Sequence, residues 1–318
     1  MIGRTRLNKH SLNKQKEMTG EKGYDSDGSR GAVVTVGTFD GVHRGHREVL
    51  RCVTGEAARL GLRPVVVTFD RHPLEVVAPE RAPGLIMDAD RRDALLREAG
   101  VEVHRVEFSE ETRRKTAGEW MRELAKEHGA RMVVLGYDNT FGSDGRGMTF
   151  DDYRRTGESL GIEVRVAPAI EGCSSSAVRH AVKDGDMERA AWILGRPFSL
   201  TGTVVKGRQL GRTIGVPTAN VAVPSRQLLP AGGVYAAEVT TPDGGKHRAV
   251  VNVGKCPTVT DAGTVTVEAH ILDYNADLYG RQLTVSFLRR LRDERKFDTL
   301  TALREQIARD IAEASKSE

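Results

Sequence analysis

Cysteine is scarce in this 318-residue chain: Cys52, Cys173 and Cys256 are odd in number and show neither a CxxC pair nor metal-ligand spacing. That excludes a disulfide framework and fits a reducing compartment, the cytoplasm, with the three thiols acting as small buried hydrophobes. No apolar run reaches about 18 residues, the length a spanning helix needs, so no membrane is expected. The N-terminus also lacks the apolar stretch of a secretory signal. Charge of one sign is nearly absent as an excess: 48 Lys and Arg against 44 Asp and Glu leave +4, with both signs interspersed. Part of that excess sits early, at Arg4, Arg6, Lys9, Lys14 and Lys16. Such an excess favours small anionic ligands as easily as nucleic acid; among partners no nucleic acid is expected. Residues 1–30 are rich in Gly, Ser, Asp and Lys and poor in apolar residues, which predicts a disordered tail; Met18 offers an alternative start. There is no internal repeat.

What remains is long enough, at 39% hydrophobic residues, for two packed cores. Strand-like runs at Ala32 to Val36, Arg63 to Phe69, Val101 to Phe108, Arg131 to Leu135 and Ile162 to Val166 alternate with helical patterns such as Asp88 to Ala99 and Thr116 to His128. That alternation predicts a doubly wound parallel sheet, whose ligands bind beyond the carboxyl ends of the strands. The pattern changes after the helix Asp186 to Leu194, at Gly195-Arg196-Pro197. Beyond it lie short alternating strands (TGTVV, GGVYAAEVT, HRAVVNVG, TVTVEAHIL, QLTVSFL) and a last helix, Thr299 to Ala314. These predict an antiparallel β-barrel or sandwich with a closing helix. The expected fold class is α/β plus all-β, divided as a tail (1–30), a doubly wound domain (31–195) and a β-domain (196–318).

The richest segment is Val36-Gly37-Thr38-Phe39-Asp40-Gly41-Val42-His43-Arg44-Gly45-His46. A buried strand precedes it, and Val49, Leu50, Val53, Ala57 and Leu60 follow at helical spacing, so it is a strand-to-helix turn. Its glycines let backbone approach a ligand, and the helix start favours phosphate. His43 and His46, three apart, can face one anion and donate to phosphoryl oxygens where charge builds up during transfer. The wording resembles the HxGH motif of nucleotidyltransferases, and FDGVHxGH is similar to the adenylyltransferase half of prokaryotic bifunctional riboflavin kinase/FAD synthetases. Downstream, Gly211 to Asn220 (GRTIGVPTAN) resembles the GRxxGxPTAN signature of riboflavin kinases, and Val267 to Asp273, Asp277 to Gly280 and Leu291 to Phe297 follow in the family's order.

That resemblance implies an enzyme that phosphorylates riboflavin to FMN with ATP in the C-terminal domain and adenylylates FMN to FAD, releasing pyrophosphate, in the N-terminal one. Its partners would be riboflavin, FMN and ATP, with Mg2+ as cofactor; a homo-oligomer is left open. For the adenylyltransferase, the resemblance implies ATP contacts at Gly37, Thr38, Phe39, Asp40, Gly41, His43, His46, Ser175, Ser176 and Arg179. It implies flavin contacts at Asp70, Asp138 and Phe141. For the kinase it implies ATP contacts at Gly207, Gly211, Arg212, Gly215, Thr218 and Asn220, with Thr218 and Asn220 as metal ligands through hard oxygens. Flavin contacts fall at Arg292, Glu294 and Phe297. The sequence departs from the family wording at Thr38, Arg71, Asn139 and Ser176.

Glu268 is reached from chemistry as well. The ribityl alcohol must lose a proton as it attacks, and a carboxylate is the natural base. Along TVTVEAHIL, Val265, Val267, Ala269 and Ile271 share one face and Thr266, Glu268 and His270 the other, so a strand would present Glu268 away from the core. Two other readings keep parts of this: a kinase with a degenerate adenylyltransferase half, and a non-catalytic flavin or nucleotide sensor.

Overall fold

The computed structural model describes residues 31–207, 215–255 and 265–316. The expected tail, Gly211, Arg212 and Cys256 lie outside the described residues. The chain divides into two compact units. One consists of the segments ending at Gly37, Glu48–Phe69 and Leu96–Pro168; the other of Thr38–Arg47, Asp70–Leu95 and Ala169 onward.

The first unit is a five-stranded parallel sheet, β1 (Ala32–Val36), β2 (Arg63–Phe69), β3 (Glu102–Val106), β4 (Ala130–Leu135) and β5 (Glu163–Val166), in the order β3-β2-β1-β4-β5. β1 is buried along its whole length, as its β-branched run requires, whereas edge strand β3 carries Glu102 and Arg105 outward. A helix stands between each successive pair of strands in sequence, which is what parallel pairing needs. Ala117–His128 shows how locally such a helix is specified. Thr116 and Glu119 form a reciprocal capping box, Gly129 ends the helix at φ 64°, and Trp120, Met121 and Leu124 are buried on one side. They pack with Val34, Val67, Val133, Leu135 and Tyr153 in the core of this unit. β1 pairs with both β2 and β4, so the strand order reverses there, the position at which open α/β sheets bind ligands.

The second unit contains a closed antiparallel barrel, resolving the barrel-or-sandwich expectation. Its strands are β6 (Phe198–Val205), β7 (Ala219–Ala222), β8 (Gly233–Thr240), β9 (Lys246–Lys255), β10 (Val265–Ile271) and β11 (Gln282–Arg292), ordered β10-β7-β6-β11-β8-β9. β7 was not anticipated. It is a four-residue strand, ANVA, between two prolines, too short to show a period of two, yet it closes the ring by pairing with β6 and β10. The helices Ser175–Asp184 and Met187–Leu194 give Val178, Val182, Met187, Ile193 and Leu194 to the same hydrophobic core as Phe198, Tyr235 and Phe287. Ile86 joins that core too. Its segment is tied to the stretch after β7: Leu85 N–H donates to the Arg226 carbonyl at 2.8 Å, and Leu228 N–H to the Leu85 carbonyl at 2.8 Å.

The cysteine expectation needs correction. Cys52, within the helix Arg44–Leu60, and Cys173 are free but only half-buried. Partial burial pushes both thiols up, which favours the protonated form. Among the described residues no helix is long and apolar enough to cross a membrane.

Candidate active sites

The histidine loop lies in the second unit. Phe39 (φ 50°), Gly41 (φ 90°) and Val42 (φ 39°) all adopt left-handed backbone, unusual for two non-glycine residues and costly for a β-branched one. Each such residue costs about 1–3 kcal/mol and persists only where its surroundings over-determine it. Here they do. Asp40, nearly fully buried, accepts from Ile86 N–H at 3.0 Å, from Met87 N–H at 3.3 Å and from the Arg179 guanidinium at 2.5 Å. Its own carbonyl accepts from Ser175 Oγ at 2.9 Å. Arg196 donates to the carbonyls of Gly41 at 2.6 Å and Val42 at 3.3 Å. Burial pushes the Asp40 carboxyl up, and the Arg179 cation and the two N–H donors oppose that.

On this frame the rings of His43 and His46 stack at 3.6 Å between centroids, and His46 N–H donates to His43 Nδ1 at 3.3 Å. Accepting at Nδ1 leaves the proton of a neutral His43 on Nε2. Burial, reinforced by the Arg196 and Arg179 cations, pushes His43 down to about 4. His46 is held well below its ordinary value by burial, then by His43, Arg179 and Arg196. Both are therefore neutral near pH 7 and able to donate. His46 Nδ1 is buried with no hydrogen-bond partner among the described residues.

The other expected adenylyltransferase residues divide between the units. In the second unit, Thr38, Asp40, Asp70, Arg71, His72 and Arg92 line a small cleft of about 30 Å³. Arg92 is itself buried and reaches the Thr38 carbonyl at 3.4 Å. Ser174 caps the helix Ser175–Asp184, leaving Ser176 exposed on its first turn. In the first unit, Gly37 N–H donates to the Val67 carbonyl at 3.1 Å, and Asn139 ties its loop down by donating to the Val36 carbonyl at 2.6 Å. Asp138 is exposed in the same loop. Phe141, expected on the flavin side, is packed in the core against Tyr153, whose hydroxyl accepts from Phe141 N–H at 2.9 Å. The exposed aromatic of this loop is Tyr137, at 64%.

The barrel carries a larger cavity, about 460 Å³, between its outer face and the helix Leu300–Ala314. Thr218, Glu268, Arg292, Glu294 and Phe297 all line it. Strand alternation explains Glu268: Val267, Ala269 and Ile271 of β10 are buried in the barrel core, while Glu268 and His270 point the other way, into the cavity. Glu268 sits opposite Asn220 on β7 and opposite Asn252 on β9. Gly207 lies so close to the Asn220 amide that a Cβ would overlap it, and Gly215 turns at φ 79°. His270 Nδ1 is 2.8 Å from the Pro217 carbonyl, which fixes the start of the PTAN segment.

Arg292 is held from the helix. Its Nε and Nη2 bond the Asp310 carboxylate at 3.1 and 2.8 Å, Gln306 Nε2 donates to the same carboxylate at 2.7 Å, and the guanidinium stands 5.8 Å over the Phe297 ring. Asp310 is only 4% exposed. Removing it in Asp310→Ala leaves a guanidinium uncompensated, an expected loss of roughly 3 kcal/mol. A urea melt showing an unchanged midpoint would contradict that. Sequence reasoning missed Asp310, Leu303 and Ile307, which look like ordinary helix residues until the helix is placed over the strands; the missed His72 carried a signal, its place beside Asp70 and Pro73.

Among the described residues no cluster of three His, Cys, Asp or Glu side chains could hold a metal. The oxygens of Thr218 and Asn220 fit a hard cation carried mostly by nucleotide phosphates.

Known families match the chain in two parts. A riboflavin kinase family model matches residues 194–317 and an FAD synthetase family model residues 25–178. The bifunctional riboflavin kinase/FMN adenylyltransferase of Pseudomonas fluorescens is 39% identical over 291 residues, 90% of this chain and 92% of its own. The protein of the same description from Escherichia coli K12 is 38% identical over 286 residues, covering 88% of this chain and 90% of its own. A crystal structure described as the macrolide-efflux protein of Streptococcus pneumoniae is similar with a TM-score of 0.83 at 34% identity, over 92% of this chain and 96% of that one. Since these curated relatives match across both halves at such identity and coverage, the chain belongs to the bifunctional riboflavin kinase/FMN adenylyltransferase family.

Proposed function

We propose that the cavity beneath the C-terminal helix is where riboflavin is phosphorylated, and that the His43–His46 loop is where FMN receives AMP. The enzyme makes FMN from riboflavin and ATP, then FAD from FMN and a second ATP. The observation that carries the kinase half is convergence: Thr218, Glu268, Arg292, Glu294 and Phe297, scattered over eighty residues of sequence, line one cavity of about 460 Å³. That size and its mixed apolar and polar walls suit a flavin ring.

In this reading Glu268 takes the proton of the ribityl alcohol as it attacks the γ-phosphorus. Thr218 and Asn220 hold the metal that accompanies ATP; the family's need is for a divalent ion, and Mg2+ is the proposed one. Arg292, kept in place by Asp310, and Phe297 flank the flavin. In the other site FMN brings its own anionic phosphate, so no base is required; alignment and charge stabilisation suffice. His43 and His46, both neutral, donate to the α-phosphate, and the unpartnered His46 Nδ1 supports a contact that a ligand completes. Asp70 and Thr38 at the small cleft are the proposed neighbours of the nucleotide and flavin. The cytoplasm is the proposed compartment, and neither nucleic acid nor membrane takes part.

The proposed domain boundary at residue 195 gives a test. Every residue lining the kinase cavity lies between Val216 and Asp310. A fragment from Arg196 to Glu318 is therefore expected to form FMN but no FAD. Because Val178, Val182, Ile193 and Leu194 share the barrel's core, a fragment beginning at Ala169 should melt higher. Two well-folded fragments that both lack kinase activity would refute the reading.

A further inference from the structure

Arg196 stands outside the residues matched by the FAD synthetase family model, 25–178, and inside those matched by the riboflavin kinase model, 194–317. Yet its guanidinium is aimed at the other activity. It donates to the carbonyls of Gly41 at 2.6 Å, Val42 at 3.3 Å and Leu194 at 3.2 Å. Gly41 and Val42 are two of the three residues with left-handed backbone immediately before His43. We propose that Arg196 is a positioning residue for adenylyl transfer: its planar fork fixes two consecutive carbonyls, and so the turn that stacks His43 on His46.

The physical case has two parts. First, a turn with Phe39 and Val42 at positive φ relaxes unless it is held, and the other braces, Arg179, Ile86 and Met87 on the Asp40 carboxylate and Ser175 on the Asp40 carbonyl, all act one residue earlier, leaving the carbonyls of Gly41 and Val42 to Arg196. A fork that bonds two carbonyls in fixed geometry does what a flexible ammonium cannot. Second, Arg196 places a cation beside two buried imidazoles and so contributes to keeping them neutral donors; the charged groups facing His43 are Arg196 and Arg179. Leu194 is the end of a helix, so a purely structural role as a helix cap is the competing explanation.

The proposal rests on the histidine loop being the adenylyltransferase site, and the experiment separates the two. Full-length Arg196→Met and Arg196→Lys are assayed for FMN to FAD and for riboflavin to FMN, beside His46→Ala. Arg196→Met is expected to lower kcat for FAD formation by about 100-fold, the effect of a small misplacement of aligned groups, with KM for FMN and ATP little changed. Arg196→Lys should lose about tenfold, because it keeps the charge but not the fork. Riboflavin phosphorylation should persist in both. In NMR, His43, pushed down to about 4 by burial with the Arg196 and Arg179 cations beside it, should titrate higher in Arg196→Met and stay low in Arg196→Lys; the readout that a helix cap would not move is the loss of kcat for FAD formation in Arg196→Lys at an unchanged melting temperature. FAD formation at the parental kcat in either Arg196 variant, with His46→Ala inactive, overturns the positioning role alone. If His46→Ala also forms FAD at the parental rate, the site assignment itself fails. Should Arg196→Met not fold, the Lys variant decides by the same criteria.

Discussion

Glu268→Gln is expected to abolish FMN formation while leaving the conversion of supplied FMN to FAD intact. The substitution preserves size and the strand, and removes only the capacity to take a proton. Loss of a general base costs about 10²- to 10⁴-fold. The selectivity is what makes the result informative: only the kinase nucleophile is a neutral alcohol, whereas FMN attacks through a phosphate already ionised. Glu268 is set on β10 between Val267 and Ala269, both buried, so the strand cannot swing another carboxylate into its place. Kinase activity near the parental rate in the glutamine variant would remove Glu268 as the base.

His46→Ala is the mirror case. It should lower the rate of FAD formation by about 10²- to 10³-fold, as expected for loss of a transition-state donor, with FMN formation from riboflavin unaffected. The pH profile gives a second check. A histidine pushed down to about 4, as His43 is, stays neutral throughout the range above that value, so the imidazoles should add no transition near pH 6.5; the transition expected there is that of the FMN phosphate, whose second ionisation lies at about pH 6, and it should persist in His46→Ala. An ordinary inflection near 6.5 that disappears in His46→Ala would mean the imidazoles act charged, contrary to their burial between Arg179 and Arg196.

Most of the fold is legible in the sequence because it is locally encoded. The apolar runs of β1 and β4, the cap at Thr116 and the period of two along β10 each specify their element without help from distant residues. Closure of the barrel is not local. It depends on the four residues of β7, which pair not only with the preceding strand β6 but with β10, where Glu268 stands opposite Asn220. The same holds for the segment Asp70–Leu95, whose Ile86 enters the barrel-side core although its neighbours in sequence, β2 and β3, build the sheet. At the sites, motifs located the loops and the face of Glu268, but side-chain commitments appear only in three dimensions. Asp40 and Arg179, expected at ATP, bond each other; Phe141, expected at flavin, packs on Tyr153; and Asp310, an unremarked helix residue, grips Arg292. These contacts join residues 12, 18 and 139 positions apart and fix a side-chain direction, neither of which a motif records.

The most direct measurement is to incubate the full-length protein with riboflavin, ATP and Mg2+ and to separate the flavins over time. FMN should appear first and then give way to FAD, with pyrophosphate released in step with FAD. Accumulation of FMN without FAD, even when FMN is supplied, would contradict the histidine loop as a working adenylyltransferase; recovery of riboflavin alone would contradict both sites.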